Sequence, residues 1–150
     1  MSRTAAVARA FARAADYDRH ADVQRQVADR LAARIAALDL PARPRILDVG
    51  CGTGFLPARL MPVLPDADWV ISDLAAEMVL RARDALPDGA GRFVAMDAAR
   101  PCFAAQHFDL VCSNLAAQWF DDLPGSLAAL GALVAPGGAL ALSTLAAGSF

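Results

Sequence analysis

The sequence predicts an α/β protein: a doubly wound, mostly parallel sheet of about five strands, preceded by an N-terminal helical segment. Three observations carry this. Short apolar strands alternate with helical stretches between residues 45 and 144, the pattern of a parallel sheet with helices on both faces. The run Phe108–Ser113 is nearly all apolar apart from Asp109, as expected for a strand buried on both sides. The first strand runs into the glycine turn Gly50-Cys51-Gly52-Thr53-Gly54. The 150 residues suit one domain, with a helical segment over 1–40 and a core over 45–144.

The first forty residues read as helix. Val23, Val27, Leu31 and Ile35 recur every fourth position with Leu38 close behind, forming one apolar stripe that Arg25, Arg30 and Arg34 largely avoid. Pro41 and Pro44 close the segment. Arg45–Val49 is the first strand. A short helix follows from about Thr53 to Leu60, ended near Met61 because Pro62 cannot continue it. Trp69–Ser72 is a second strand closed by Asp73. Ala75–Leu86 is a helix with Met78, Val79, Ala82 and Leu86 on its apolar side, stopped by Pro87-Asp88-Gly89. Arg92–Ala95 is a third strand, followed by Asp97, and Phe108–Ser113 a fourth. Leu123–Val134 is a helix with Leu127, Leu130 and Val134 in register. Ala135-Pro136-Gly137-Gly138 is a tight turn before a fifth strand, Ala139–Thr144.

Composition narrows the class. Hydrophobic residues at 57% and charged residues at 20% exclude a disordered chain. Fourteen basic and sixteen acidic side chains are interspersed, with no basic patch to suggest nucleic-acid binding. Cys51, Cys102 and Cys112 are odd in number and lack paired metal spacing, which fits a reduced, cytoplasmic protein with no metal centre. Neither a secretory signal nor a membrane span is expected.

The chemistry centres on Asp48-Val49-Gly50-Cys51-Gly52-Thr53-Gly54, where a strand turns into a helix. Glycines there allow a sharp turn and close approach of backbone to a ligand. Asp73 closes the second strand and suits both ribose hydroxyls of a nucleoside; a helix N-cap is its competing role. Asp97, after the third strand, suits an adenine amino group or a turn. In an open parallel sheet all three acids belong at the carboxyl rim, where ligands bind. A dinucleotide site wants G-x-G-x-x-G; here the spacing is G-x-G-x-G, preceded by Asp48. An acid at that entrance repels a pyrophosphate and suits an amino group and a sulfonium, so S-adenosylmethionine is favoured over a dinucleotide. An oxidoreductase is the disfavoured alternative.

These residues resemble a class I methyltransferase of the Rossmann-like kind. Ile46–Gly54 is similar to that superfamily's first motif, Asp73 and Asp97 match its second and third acidic positions, and Leu133–Gly138 resembles its turn before the fifth strand. More narrowly, Phe11–Gln24 and Phe108–Trp119, with its Ser-Asn-Leu-Ala-Ala-Gln-Trp run, resemble the malonyl-acyl-carrier-protein O-methyltransferases of biotin synthesis.

The resemblance implies a cofactor site residue by residue. Asp48, Gly50, Cys51 and Gly52 line the methionine end, with Cys51 a small filler rather than a nucleophile. Gly54 lets the following helix pack closely. Asp73 holds the ribose and Leu74 flanks the adenine, with Met78 a further cofactor-binding residue. Asp97 and Ala98 meet the adenine edge, and Asn114 and Leu115 lie by the sulfonium. Gln118 and Trp119 border the substrate mouth, and Tyr17 and Gln24 belong to an N-terminal lid. No catalytic acid or base is assigned. The implied substrate is a malonyl thioester, with acyl carrier protein as partner. Another small carboxylate, or a non-catalytic binding remnant, are the alternatives. The superfamily sheet has seven strands and this sequence supplies about five, so a truncated sheet with an exposed fifth-strand edge open to self-association is expected.

Overall fold

The computed structural model describes residues 6 and 17–146, and for residues 17–20 the backbone alone. The elements are α1 (Tyr17–Ala36), β1 (Arg45–Val49), α2 (Phe55–Leu60), β2 (Asp68–Asp73), α3 (Ala76–Ala85), β3 (Arg92–Ala95), β4 (Phe108–Asn114), α4 (Leu123–Gly131) and β5 (Val134–Ser143). A single 3-10 turn, Ala117–Trp119, lies between β4 and α4.

The five strands form one sheet in the order β3-β2-β1-β4-β5. Every pairing is parallel. The chain builds outward from β1 to β3, then returns to add β4 on β1's other side. That reversal opens a crevice beyond the carboxyl ends of β1 and β4, the usual ligand position in such sheets. Residues 96–107, which make the return, contain no helix.

Strand alternation sorts the core into two layers. Ile46, Trp69, Ile71, Leu110 and Cys112 face a layer supplied by α1, α2 and α3, including Leu31, Ile35, Leu56, Leu60 and Ala82. Leu47, Val49, Val70 and Val111 face Met96, Phe108, Leu130 and Leu133 on the other side. Every one of these positions is buried.

Two sequence expectations need correction. The stripe on α1 is rotated from the one the aliphatics suggest. Ala21, Ala28, Leu31, Ala32 and Ile35 are buried, whereas Val23 and Leu38 are 49% and 39% exposed. Leu31 and Ile35 of the expected stripe stay on the inner face, but alanines at 21, 28 and 32 complete it in place of Val23 and Leu38. At the other end, α4 stops at Gly131 and Val134 already pairs with Phe108. β5 therefore starts five residues before Ala139, and Pro136 and Gly137 sit inside it, at an irregular register between Phe108 and Leu110. β5 has one strand neighbour among the described residues, and proline is admitted at such an edge or bulge.

Candidate functional site

The glycine turn is anchored to β2. Cys51 N–H donates to the Ser72 carbonyl (2.9 Å), and Ser72 Oγ donates to the Asp48 carbonyl (2.8 Å). Gly50, Gly52 and Gly54 have φ of 70°, 52° and 91°, a region where other residues are strained. At Gly50 an added Cβ would collide with Ala116 Cβ. At Gly54 it would press on Ala82 of α3 and on Leu86 just after it, so Gly54 serves helix packing and is not among the residues facing the cleft.

The cleft lies over this turn. Asp48, Gly50, Cys51 and Gly52 line its inner end. Asp73, Leu74 and Met78 line one wall, and Asp97 and Ala98 continue it. Asn114 and Leu115 form part of the floor, with Gln24 and Trp119 toward the outside. Gln118 is not a lining residue. Its amide braces the backbone instead, Nε2 donating to the Leu115 carbonyl at 2.7 Å and Oε1 accepting from Thr144 at 3.3 Å. The side chain of Tyr17, and the motif residues 11–16, lie outside the described residues. The N-terminal lid therefore falls partly on them.

Asp48 is the unusual group. It is 1% exposed. Among the described residues its Oδ1 meets only the Cys112 thiol, a weak donor at 3.8 Å, and its Oδ2 has no partner. Burial first, then the charge of Asp73, push its pKa up to about 8, offset slightly by the Cys112 thiol. A buried carboxyl oxygen without a partner costs free energy until a donor arrives.

Asp73 is better satisfied. Oδ2 accepts from Gly52 N–H (3.0 Å) and Oδ1 from Ala75 N–H (2.9 Å). It thus ties the glycine turn to the entrance of α3 and does not cap the helix itself, whose N-cap position is Ala75. Its pKa is raised, chiefly by burial, against the lowering effect of these N–H groups. Asp97 makes a similar two-residue turn with Ala99 N–H (2.9 Å) and pairs loosely with Arg100 at 3.6 Å. The Cys51 thiol is pushed up by burial and by Asp48 and Asp73, which leaves it inert as a nucleophile.

Sequence reasoning missed part of the wall. Phe55, Met96, Phe120, Asp121, Asp122 and Ser126 also line the cleft. Phe55 directly follows the glycine turn, which is a usable signal. Met96 arrives on the β3–β4 connection and Phe120, Asp121 and Asp122 on the β4–α4 connection, whose paths the sequence does not specify, and Ser126 comes from α4. The acidic lining residues are Asp48, Asp73, Asp97, Asp121 and Asp122, and among the described residues no Lys, Arg or His lines the cleft. Such a cleft favours a ligand bearing positive charge and hydroxyl or amino donors.

The model of a family described as Methyltransferase domain matches residues 46–138. The chain belongs to that methyltransferase-domain family. The biotin biosynthesis bifunctional protein BioCD of Bordetella avium is 49% identical over 111 residues, 73% of this chain and 24% of that protein. A malonyl-(acyl-carrier protein) O-methyltransferase of Magnetococcus marinus is 43% identical over 117 residues, 77% of this chain and 43% of that one. A solved S-adenosylmethionine-dependent methyltransferase of Mesorhizobium loti superposes with a TM-score of 0.66 at 28% identity, covering 78% of this chain and 53% of that one. The chain spans about a quarter of one curated relative and under half of the other. Among the described residues no helix is long and apolar enough to cross a membrane.

Proposed function

We propose that the chain is the S-adenosylmethionine-binding part of a cytoplasmic methyltransferase whose acceptor is the free carboxylate of a malonyl thioester on acyl carrier protein, in biotin synthesis. The observation that carries the cofactor is the buried, unpartnered Asp48 oxygen at the inner end of an acid-lined cleft. The acceptor rests on the names of the two curated relatives.

The residues present fit the cofactor. Asp48 supplies an acceptor for the amino group of the methionine end, at a position where the glycines admit close approach. Asp73 retains acceptor capacity for ribose hydroxyls beyond its two backbone N–H partners. Leu74, Met78 and Ala98 give an apolar slot for the base, and Asp97 an acceptor at its edge. When bound, S-adenosylmethionine supplies an electrophilic methyl group on a sulfonium. The malonyl carboxylate is ionised at neutral pH and needs no general base. The task left to the protein is alignment and exclusion of water, served by the floor at Asn114 and Leu115 and the rim at Trp119 and Phe120.

The test has two steps. Isothermal titration with S-adenosylhomocysteine should give saturable binding; its absence from folded protein would sink the cofactor assignment. Transfer of a radiolabelled methyl group to malonyl-loaded carrier protein then tests the acceptor. Binding without transfer favours the second reading, a nucleoside-binding remnant. That no cation lines the cleft among the described residues is the observation that keeps this reading open.

A further inference from the structure

Leu115 has φ of 52°, one of two non-glycine residues in the left-handed region among the described residues. A branched apolar side chain gains nothing locally from that conformation, unlike Asn or Asp. Something nearby must hold it, and strain of this kind concentrates at functional sites. The cross-strand partner of Asn114 is Ser143, at the carboxyl end of the β4–β5 ladder. Leu115 N–H is shared between Ser143 Oγ at 3.0 Å and the Ser143 carbonyl at 3.1 Å. The same Oγ donates to Asn114 Oδ1 at 2.9 Å, and Asn114 Nδ2 donates to the Gln24 carbonyl of α1 at 3.2 Å. On the other side, Gln118 Nε2 holds the Leu115 carbonyl at 2.7 Å, with Thr144 fixing the Gln118 amide. Both peptide groups of Leu115 are therefore clamped.

The clamped residue matters because of what surrounds it. Asn114, Leu115 and Ala116 all line the cleft. Ala116 occupies the space that a Cβ on Gly50 would need, so the floor and the glycine turn are in register only while Leu115 stays left-handed. Relaxation of Leu115 toward an ordinary backbone would swing Ala116 relative to Gly50.

We propose that Ser143 and Gln118 are positioning residues that hold Leu115 in its left-handed conformation and so fix the floor of the cofactor cleft against the glycine turn. This rests on the methyltransferase reading of the cleft. Neither side chain lines the cleft; Gln118 acts through Leu115, and Ser143 through Leu115 and Asn114.

The test is a mutant cycle with two readouts, the affinity for S-adenosylhomocysteine and the melting temperature. Ser143→Ala and Gln118→Ala should each weaken binding about tenfold, the scale of releasing one strained residue. Ser143→Thr, which keeps the hydroxyl, should stay within about threefold of the parent. The decisive variant is Leu115→Gly, because glycine needs no clamp at positive φ. In that background Ser143→Ala should change affinity less than about threefold and lower the melting temperature less than it does beside leucine. Additive effects on melting in the two backgrounds would overturn the clamp. Coupled melting with unchanged affinity in Ser143→Ala and Gln118→Ala would overturn its role in the cleft. Failure of the parent protein to bind S-adenosylhomocysteine would instead strike the methyltransferase reading, while the melting cycle still decides the clamp.

Discussion

The two rims of the sheet use the same residue, aspartate, in opposite ways. At the amino ends of the strands, Asp109 accepts from Arg45 three times, at 2.8 Å from its N–H, 3.2 Å from Nε and 3.3 Å from Nη2. Asp68 pairs with Arg92 at 3.1 Å. The hydrogen bonds from Arg45 hold the Asp109 carboxyl below its ordinary pKa. At the carboxyl ends, Asp48 and Asp73 have no cation among the described residues, and burial raises both. The lower rim is a finished structure. The upper rim instead holds Asp48 and Asp73 by burial, Asp48 keeping its proton at neutral pH, and a positive group from outside would supply the partner that the described residues do not.

The sharpest way to break the contrast is at Asp73. Asp73→Ala should weaken S-adenosylhomocysteine about 100-fold or more, since charged hydrogen bonds to a ligand and two backbone tethers are lost together. Titration calorimetry checks it, with Arg45→Ala as the lower-rim control, expected to leave affinity unchanged.

Next come two glycines of similar conformation. Gly50 has φ of 70° and is crowded by Ala116, whereas Gly89, before β3, has φ of 74° and nothing within 4 Å. Gly89→Ala should cost about 1 kcal/mol from backbone strain alone. Gly50→Ala should cost about 2–3 kcal/mol more in chemical denaturation, because overpacking adds to the strain.

Asp48 gives a pH signature. Its carboxyl keeps a proton in the fold up to about pH 8, against an ordinary value of 3.8. Below that ordinary value both states are protonated and the group is silent. Between the two values only the unfolded chain releases the proton, so stability falls as pH rises, by about 1.4 kcal/mol per unit. Above the folded value the loss is complete and constant. Asp48→Asn should flatten the melting temperature across pH 5–8, raise it near pH 8, and weaken S-adenosylhomocysteine. A slope unchanged by the substitution would refute the assignment.

The smallest effect belongs to the lower rim. Arg45 is 44% exposed and Asp109 15% exposed on the side chain. Arg45→Ala should therefore cost about 1 kcal/mol or less. The depressed Asp109 pKa makes that contribution present above about pH 4 and lost below it on acid titration.

Much of the upper rim was readable in the sequence because its information is local. A strand followed by three glycines, and acids closing two further strands, need no knowledge of the fold. Information that depends on packing was not readable. The inner face of α1 is completed by alanines, so Val23 misleads. β5 begins at Val134 because Phe108 offers a ladder partner, which overrides the turn that Pro136 and Gly137 suggest. Gln118 reads as a substrate contact from its neighbours in the chain, yet Leu115 and Thr144 claim its amide. Asp121 and Asp122 reach the cleft on a connection whose route is fixed only by the folded sheet.

The chain order of the strands also governs when the site can exist. β1 is flanked by β2 and by β4, and Arg45 meets Asp109 across 64 residues of intervening chain. During synthesis Asp48 and the glycine turn are complete long before β4 arrives to close their second side, a late, non-local step of the kind that slows folding. Ligand-binding competence thus waits for β4. Until then the second edge of β1 is an unpaired apolar strand.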